Sequence, residues 1–427
     1  MNVLRALHHR SRPLMVGMTA RSGGQGYAFP RRLLLSSLLL LLAQGVARSA
    51  APGIDIVVDA GAHARHDTTV SFPLPQGKIH GLWRLTGEGC SSSAEVDDRG
   101  VAHAVLPDLA PGERRQFHMT VDPTPLPAAI EARDTGDILR CSMAGHELCT
   151  YQGGAGDCPE GYDPALRRGG YLSRLLTPAG VLVTDDYPPN HRHHHGVWFS
   201  WTKTTFAGRT PDFWNMGERT GTVEAVSRGP VWSGALWAGF QAVHRYRDLG
   251  ITPAVTVLDE TWDLTLEAPH GAHPVQVIDL VINQRCASDV PLVLPLYRYG
   301  GLGFRGNRGW DGADNLIVLT SEGKTRIEAN ETRCRWCWVG GRVDGRIAGV
   351  AILCHPANVR SPQPIRVHPT EPFVCFAPSQ LGEWSVAPGA ALTLRYRIIV
   401  GDGEADADDL NRRWSDWAEP PAIEVVP

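Results

Sequence analysis

The sequence predicts an all-β protein: a small N-terminal β-sandwich, then a large two-sheet sandwich, then a short C-terminal helix. Three observations carry this reading. Apolar and polar residues alternate along short runs punctuated by Gly, Pro and Asp. Helical spacing is confined to the tail, and no alternation of strand and helix patterns suggests a parallel sheet.

The first 51 residues read as a targeting segment rather than structure. Arg31 and Arg32 precede the apolar run Leu33 to Ala43, and the small residues Gly45, Ala47, Ser49, Ala50 and Ala51 follow. That run is too short to span a bilayer comfortably, and the arginine pair is a weak twin-arginine signal. Export to the periplasm or the extracellular space is expected, with no membrane partner after removal of the signal.

At 427 residues the chain is too long for one ordinary core, so two domains are expected. Residues 52–121 hold the runs IDIVVDAG, KIHGLWRL, GVAHAVL and RRQFHMTV, which suit the small β-sandwich. The linker is placed at 122–134, where DPTPLPAA carries three prolines that resist both helix and central strand. The large domain takes 135–427. Within it TWDLTLEA sets Trp262, Leu264 and Leu266 on one face, and ALTLRYRIIV does the same with Leu392, Leu394, Tyr396, Ile398 and Val400. Leu410, Trp414 and Trp417 are spaced for one helix face behind acidic residues suited to a helix start. Two broad packed sheets follow from this pattern. By analogy, the galactose-mutarotase-like supersandwich is the preferred architecture.

A net charge of -4 gives no reason to expect nucleic acid as a partner. In an exported protein some of the nine cysteines can pair. Cys141, Cys149 and Cys158 are close enough in sequence for a local bridge, which would staple a flap near the histidines. Cys334 and Cys337 form a lone CxxC without a second pair at zinc spacing, so packing or a disulfide is the expectation.

The segment DDYPPNHRHHHGVWFSW, Asp185 to Trp201, concentrates the chemistry. Imidazole ligates metals and moves protons near neutral pH. If the segment is extended, His191, His193 and His195 face one way and His194 the other. His191, His193 and His194 are the candidate ligands of one divalent metal ion. Pro188 and Pro189 stiffen the approach, while Gly196 permits a sharp turn or close contact. Aromatic faces stack on the apolar faces of sugars, so Trp198 and Trp214, with Asp212, are candidate substrate-binding residues. Most of the thirteen tryptophans are nevertheless expected in the core.

Further candidates lie in three later motifs. Glu322 in TSEG sits at an expected strand end. Asn358 and Arg360 follow His355 in HPANVRSP, a Pro-punctuated loop. The glycines of YGGLGFRG lack the following helix of a dinucleotide site, so they read as a bend that lets Arg305 approach a ligand.

The ordered series PPNHRHHHGVWFSW, PDFW, YGGLGFRG, TSEG, HPANVRSP and LRYRIIVGDG resembles the PmoA-like family of exported bacterial proteins, over about Tyr171 to Trp417. That family is a domain of unknown function whose label borrows the name of a methane oxygenase subunit. Its pattern at the cluster, Asp-His-Pro-His-His-Arg-Gly-Leu-Trp, maps onto His191, His193, His194, Gly196 and Trp198. Asn190 stands where the pattern has an acid, Arg192 where it has proline and His195 where it has arginine. The oxygenase subunit is a polytopic membrane protein, so the label does not carry that activity.

The functional expectation is an exported carbohydrate-active enzyme, working on a small-molecule or oligosaccharide substrate. Its acid–base or metal-assisted chemistry would be epimerisation, elimination or a related step. Glu322 is the candidate base, and His193 or His355 the candidate acid. A Ser hydrolase is disfavoured because no Gly-x-Ser-x-Gly elbow accompanies a plausible triad. Two alternatives come from other classes: a non-catalytic glycan-binding protein, and a metal-dependent oxidase or oxygenase.

Overall fold

Alternate burial along Gly53–Asp59, with Ile54, Ile56 and Val58 inward, is the period-two pattern of a strand with one covered face. It recurs along strands such as Thr68–Pro73 and Val255–Glu267 of the computed structural model, which describes residues 53–75, 80–123, 129–271, 273–312 and 314–426, whereas Val197–Ser200, Gly301–Arg305 and Phe373–Phe376 are buried on both faces. The predicted signal segment and the middle of the predicted linker, 124–128, lie outside the described residues. The protein is all-β, with one substantial helix among the described residues, Ala407–Ala418, close to the tail. Asp406 caps that helix, its carboxylate accepting from the Asp408 and Asp409 amides.

The N-terminal strands form a seven-stranded sheet around their own core of Ile56, Trp83, Ala104, Phe117 and Met119. One strand comes from elsewhere: Ala422–Val426 at the C-terminus pairs antiparallel with Gly53–Asp59 and completes the edge. Sequence reading left that strand in the large domain, because pairing over such a distance has no local signal. The sheet also meets the rest of the chain through buried polar contacts. Arg65 Nη1 donates to Asp416 Oδ1 at 2.9 Å, and Glu95 accepts from the Ala235 and Leu236 amides.

The large body is a sandwich of two sheets. Eight strands form one, with Gly221–Trp232, Trp237–Asp248, Val255–Glu267, Gln276–Cys286 and Leu392–Asp402 as successive antiparallel neighbours. The other has nine strands, with Phe373–Phe376, Gly301–Arg305, Val197–Ser200 and Tyr171–Leu175 near its middle. Phe240, Trp262, Leu280 and Ile398 from the first sheet share a core with Leu172, Phe199, Leu302 and Phe376 from the second. Full burial of such a side chain contributes roughly 1.5–3 kcal/mol each, so this layer dominates the packing. The part of the predicted linker at Ile130–Asp134 is instead the edge strand of the nine-stranded sheet.

Cys141 and Cys149 sit opposite each other on neighbouring strands of that sheet, unbridged and buried. The stretch Cys141–Cys158 is therefore not a stapled flap; Cys141, Leu148, Cys149 and Tyr151 belong to the core. Cys334 and Cys337 are also buried core thiols, in keeping with the packing reading.

Candidate functional site

The histidine segment is not an extended strand. His191 N donates to Pro188 O at 3.1 Å, His194 N to His191 O at 2.9 Å, and Tyr187 N to His194 O at 3.0 Å. These successive turns override the alternation expected of an extended chain. His191 and His194 come to stack, with centroids 4.7 Å apart, while His195 turns inward. Its Nδ1 lies 2.6 Å from Asp186 Oδ1, and Tyr171 donates to the other oxygen of the same carboxylate at 3.0 Å. Gly196 lets the chain enter the sheet, since a Cβ there would stand 2.3 Å from Leu172 O.

His191, His193 and His194 open onto a cavity of about 230 Å³ whose wall includes Phe373, from a strand near the middle of the nine-stranded sheet. Trp214, Phe373 and Tyr299 supply aromatic wall; Asn215, Arg298, Arg366 and His368 supply polar groups. Trp214 and Trp198 fit side by side because Gly303 has no side chain: a Cβ there would lie 2.7 Å from the Trp214 ring and 2.9 Å from that of Trp198. In YGGLGFRG, Gly303 and Gly306 thus make room for indoles, while Gly300 and Gly301, at φ 123° and 117°, do supply a bend, though not one that brings Arg305 into the cavity.

Below the cavity lies an acid that sequence reading missed. Glu371 Oε2 accepts from Arg305 Nη1 at 2.7 Å and stands 2.6 Å from His191 Nδ1. The second of these is a close contact without hydrogen-bond alignment, as is common before a ligand tightens such a pair. Arg305 is completely buried, and its Nη2 reaches Asn190 Oδ1 and Asp311 Oδ1, each at 3.1 Å. It supports the site from beneath and does not line the cavity. Asn190, where the resemblance has an acid, keeps an oxygen on this arginine.

His191, His368 and Glu371 each place one donor atom within 4.8 Å of the others. Among the described residues, this is the set that gathers at metal-ligand spacing; His191, His193 and His194 do not. Yet His368 Nδ1 accepts from Thr370 N at 3.3 Å and from Glu371 N at 3.1 Å. That pattern leaves the proton on Nε2, so His368 is arranged as a donor rather than a ligand. A cation here would require His368 to surrender both backbone bonds.

Burial and neighbouring imidazoles hold His193 down at about 4, and burial holds His194 well below the ordinary histidine value. Burial also lowers His195 and His368. His193 and His194 are therefore held neutral near physiological pH, which removes His193 as a ready-protonated acid. Burial, with Tyr297 adjacent, pushes Tyr299 up to about 12.

The remaining predicted residues divide. Asp212 holds the wall in place: Oδ1 accepts from the Trp214 and Asn215 amides, and Oδ2 from Asn215 Nδ2 at 2.8 Å. Trp214 is at the cavity, whereas Trp198 is wholly buried behind it. Glu322 is exposed, 4.0 Å from Arg335, and does not join the cavity. His355 packs edge-on to Trp417. Asn358 bonds the backbone of Arg395, and Arg360 spends its guanidinium on the carbonyls of Pro378, Gly382 and Glu383. The predicted pairing of Glu322 with His193 or His355 is not made; the strand end carrying Glu322 faces another part of the fold.

Sequence reading passed over His368, Glu371, Asn215, Arg298, Tyr299, Arg366 and Phe373 as site residues. The polar stretch His368-Pro-Thr-Glu371 between the apolar runs PIRV and PFVCF was the available signal.

Residues 139–415 match the family described as "Family of unknown function (DUF6807)". The comparisons do not link the chain to the PmoA-like family. No curated protein matches the sequence. Among solved structures, similarity is found to a protein in the glycosyl hydrolase family 38 from Enterococcus faecalis, with TM-score 0.37, 10% identity, and coverage of 88% of this chain and 47% of that one. An alpha-mannosidase from Enterococcus faecalis V583 gives TM-score 0.40 and 10% identity over 88% of this chain and 46% of that one. The chain thus spans about half the length of these structures.

Proposed function

The chain belongs to that family of unknown function, whose description names no reaction, and from the site itself we propose a carbohydrate-active enzyme that moves a proton at a sugar carbon. One observation carries this reading: the His191–Glu371 contact of 2.6 Å at an aromatic-walled cavity of about 230 Å³. Glu371, bonded by Arg305, orients His191 and stands beside the imidazolium formed once a proton arrives. His191 removes a proton from a carbon next to a carbonyl or carboxyl group. The C–H electron pair passes into the new C=C bond, and negative charge collects on the oxygen. His368, with its proton on Nε2, serves as a donor to that oxygen.

Return of the proton to the opposite face is epimerisation; loss of a substituent from the next carbon is elimination. Trp214 and Phe373 support sugar as the substrate class, because such faces pack on the C–H side of a pyranose. The basic and apolar leader supports export as the setting.

The test is deuterium exchange. The protein is incubated in D2O with hexoses, hexuronates and keto-sugars, and proton NMR follows loss of C–H signals. Exchange at a carbon beside the carbonyl or carboxyl group, lost in His191→Asn, is the expected result. A folded protein that binds one of these sugars and exchanges none overturns the enzyme reading in favour of glycan binding.

A further inference from the structure

The charges around the cavity are unevenly matched. Glu371 is held by Arg305 and His191, and Arg305 also meets Asp311. Asp212 spends its oxygens on Asn215, Thr202 and the backbone amides of Trp214 and Asn215. Two guanidinium groups remain. Among the described residues, neither Arg298 nor Arg366 forms an ion pair with a carboxylate.

Their surroundings differ from those of ordinary surface arginines. Arg366 is partly buried, and its Nη1 donates to Asn330 Oδ1 at 2.8 Å. The same amide oxygen accepts from Val367 N at 3.1 Å, so the anchor is itself fixed by the backbone. A neutral anchor orients the guanidinium without cancelling its charge. Arg298 stands exposed at the cavity wall, 5.7 Å from the Tyr299 ring centroid. The burial that keeps nearby imidazoles neutral leaves these two arginines as the permanent positive charges at the opening.

We infer that the ligand is a sugar acid whose carboxylate is received by Arg298 and Arg366, an inference that rests on the sugar-directed reading above. A planar carboxylate matches the guanidinium fork and offers acceptors to both arginines. It also serves the chemistry, since a carboxyl group acidifies the neighbouring C–H. The cavity volume suits one ring rather than a long chain segment.

Isothermal titration calorimetry with D-glucuronate, D-galacturonate, D-glucose, D-galactose and glucose 6-phosphate tests the inference on the full protein. A uronate is expected to bind at least about tenfold more tightly than either neutral hexose, the scale of one charge-assisted hydrogen bond. Arg298→Gln and Arg366→Gln should each lose roughly tenfold in uronate affinity. Arg366→Lys, which keeps charge but not the fork, should fall between wild type and Arg366→Gln. Equal binding of neutral and acidic sugars, preference for the phosphate, no binding, or unchanged uronate affinity in both Gln variants overturns it. The two readings fail separately. Deuterium exchange into a neutral sugar without uronate preference removes only the acid assignment, while arginine-dependent uronate binding without exchange removes only the enzyme.

Discussion

Arg305, on a strand of the nine-stranded sheet, meets Glu371, on the bend before Phe373–Phe376, at 2.7 Å, and the arginine is sealed from solvent. This pair transmits position from the core to His191. Replacing Arg305 with Met strands Glu371 without its strongest partner. A loss of about 3–5 kcal/mol in unfolding free energy is expected, as for other broken buried pairs. Urea denaturation measures it; a change below about 1 kcal/mol would show that Glu371 is satisfied without Arg305.

His191 is less deeply placed, so its removal should spare the fold and strike the chemistry. His191→Asn is expected to slow deuterium exchange by about 10²–10⁴-fold, the usual weight of a positioned general base. Its unfolding midpoint in the same urea titration should stay close to wild type. Equal exchange rates would move the base to another residue.

Acid should weaken the fold through the histidine cluster. In the folded protein His193 is held at about 4, chiefly by burial and then by His191 and His195, below its ordinary value near 6.5. The unfolded chain therefore binds more protons between those values, so stability is full above about 6.5 and falls as pH drops toward 4. Burial lowers His194 and His195 too, which adds in the same direction. Melting temperature is expected to fall as pH is lowered through this window, less steeply in His193→Gln. A flat wild-type profile contradicts the burial.

Asp212 is a positioning residue for the aromatic wall. Asp212→Ala leaves the Trp214 and Asn215 amides without their acceptor and leaves Asn215 Nδ2 only Thr202 and Tyr299 as partners. The expected cost is about 1–3 kcal/mol in stability with a larger proportional loss of sugar affinity. Asp212→Asn keeps the acceptor Oδ1 and should recover most of the affinity in calorimetry; equal losses in both variants would assign the effect to charge alone.

The donor arrangement of His368 makes a prediction about metals. Chelation with EDTA followed by dialysis is expected to leave exchange and melting temperature unchanged. Loss of both, restored by Zn²⁺, would show that His368 exchanges its backbone bonds for a cation at His191 and Glu371.

Much of the architecture was legible because it rests on local periodicity. Trp262, Leu264 and Leu266 read as one face of a strand and are wholly buried along Val255–Glu267. Leu410, Trp414 and Trp417 read as one face of a helix and pack in one apolar cluster. The location of the site was legible too, since histidine density marked the loop that opens onto the cavity. Direction was not. Proline-initiated turns, closed by His194 N to His191 O, replaced the extended alternation and sent His195 inward to Asp186.

By itself the sequence determined an all-β chain with a helical tail, and drew attention to His191, Trp214 and Asp212. Strand period, capping chemistry and residue type act over a few neighbours, and these can be read along a line. Only the tertiary structure decided that Glu371, not Glu322, stands beside His191, that Arg305 lies beneath the cavity, and that Ala422–Val426 closes the first sheet. Those relationships join residues far apart in the chain. They depend on which sheet edges pair and which small side chains let others approach, choices made by packing in three dimensions.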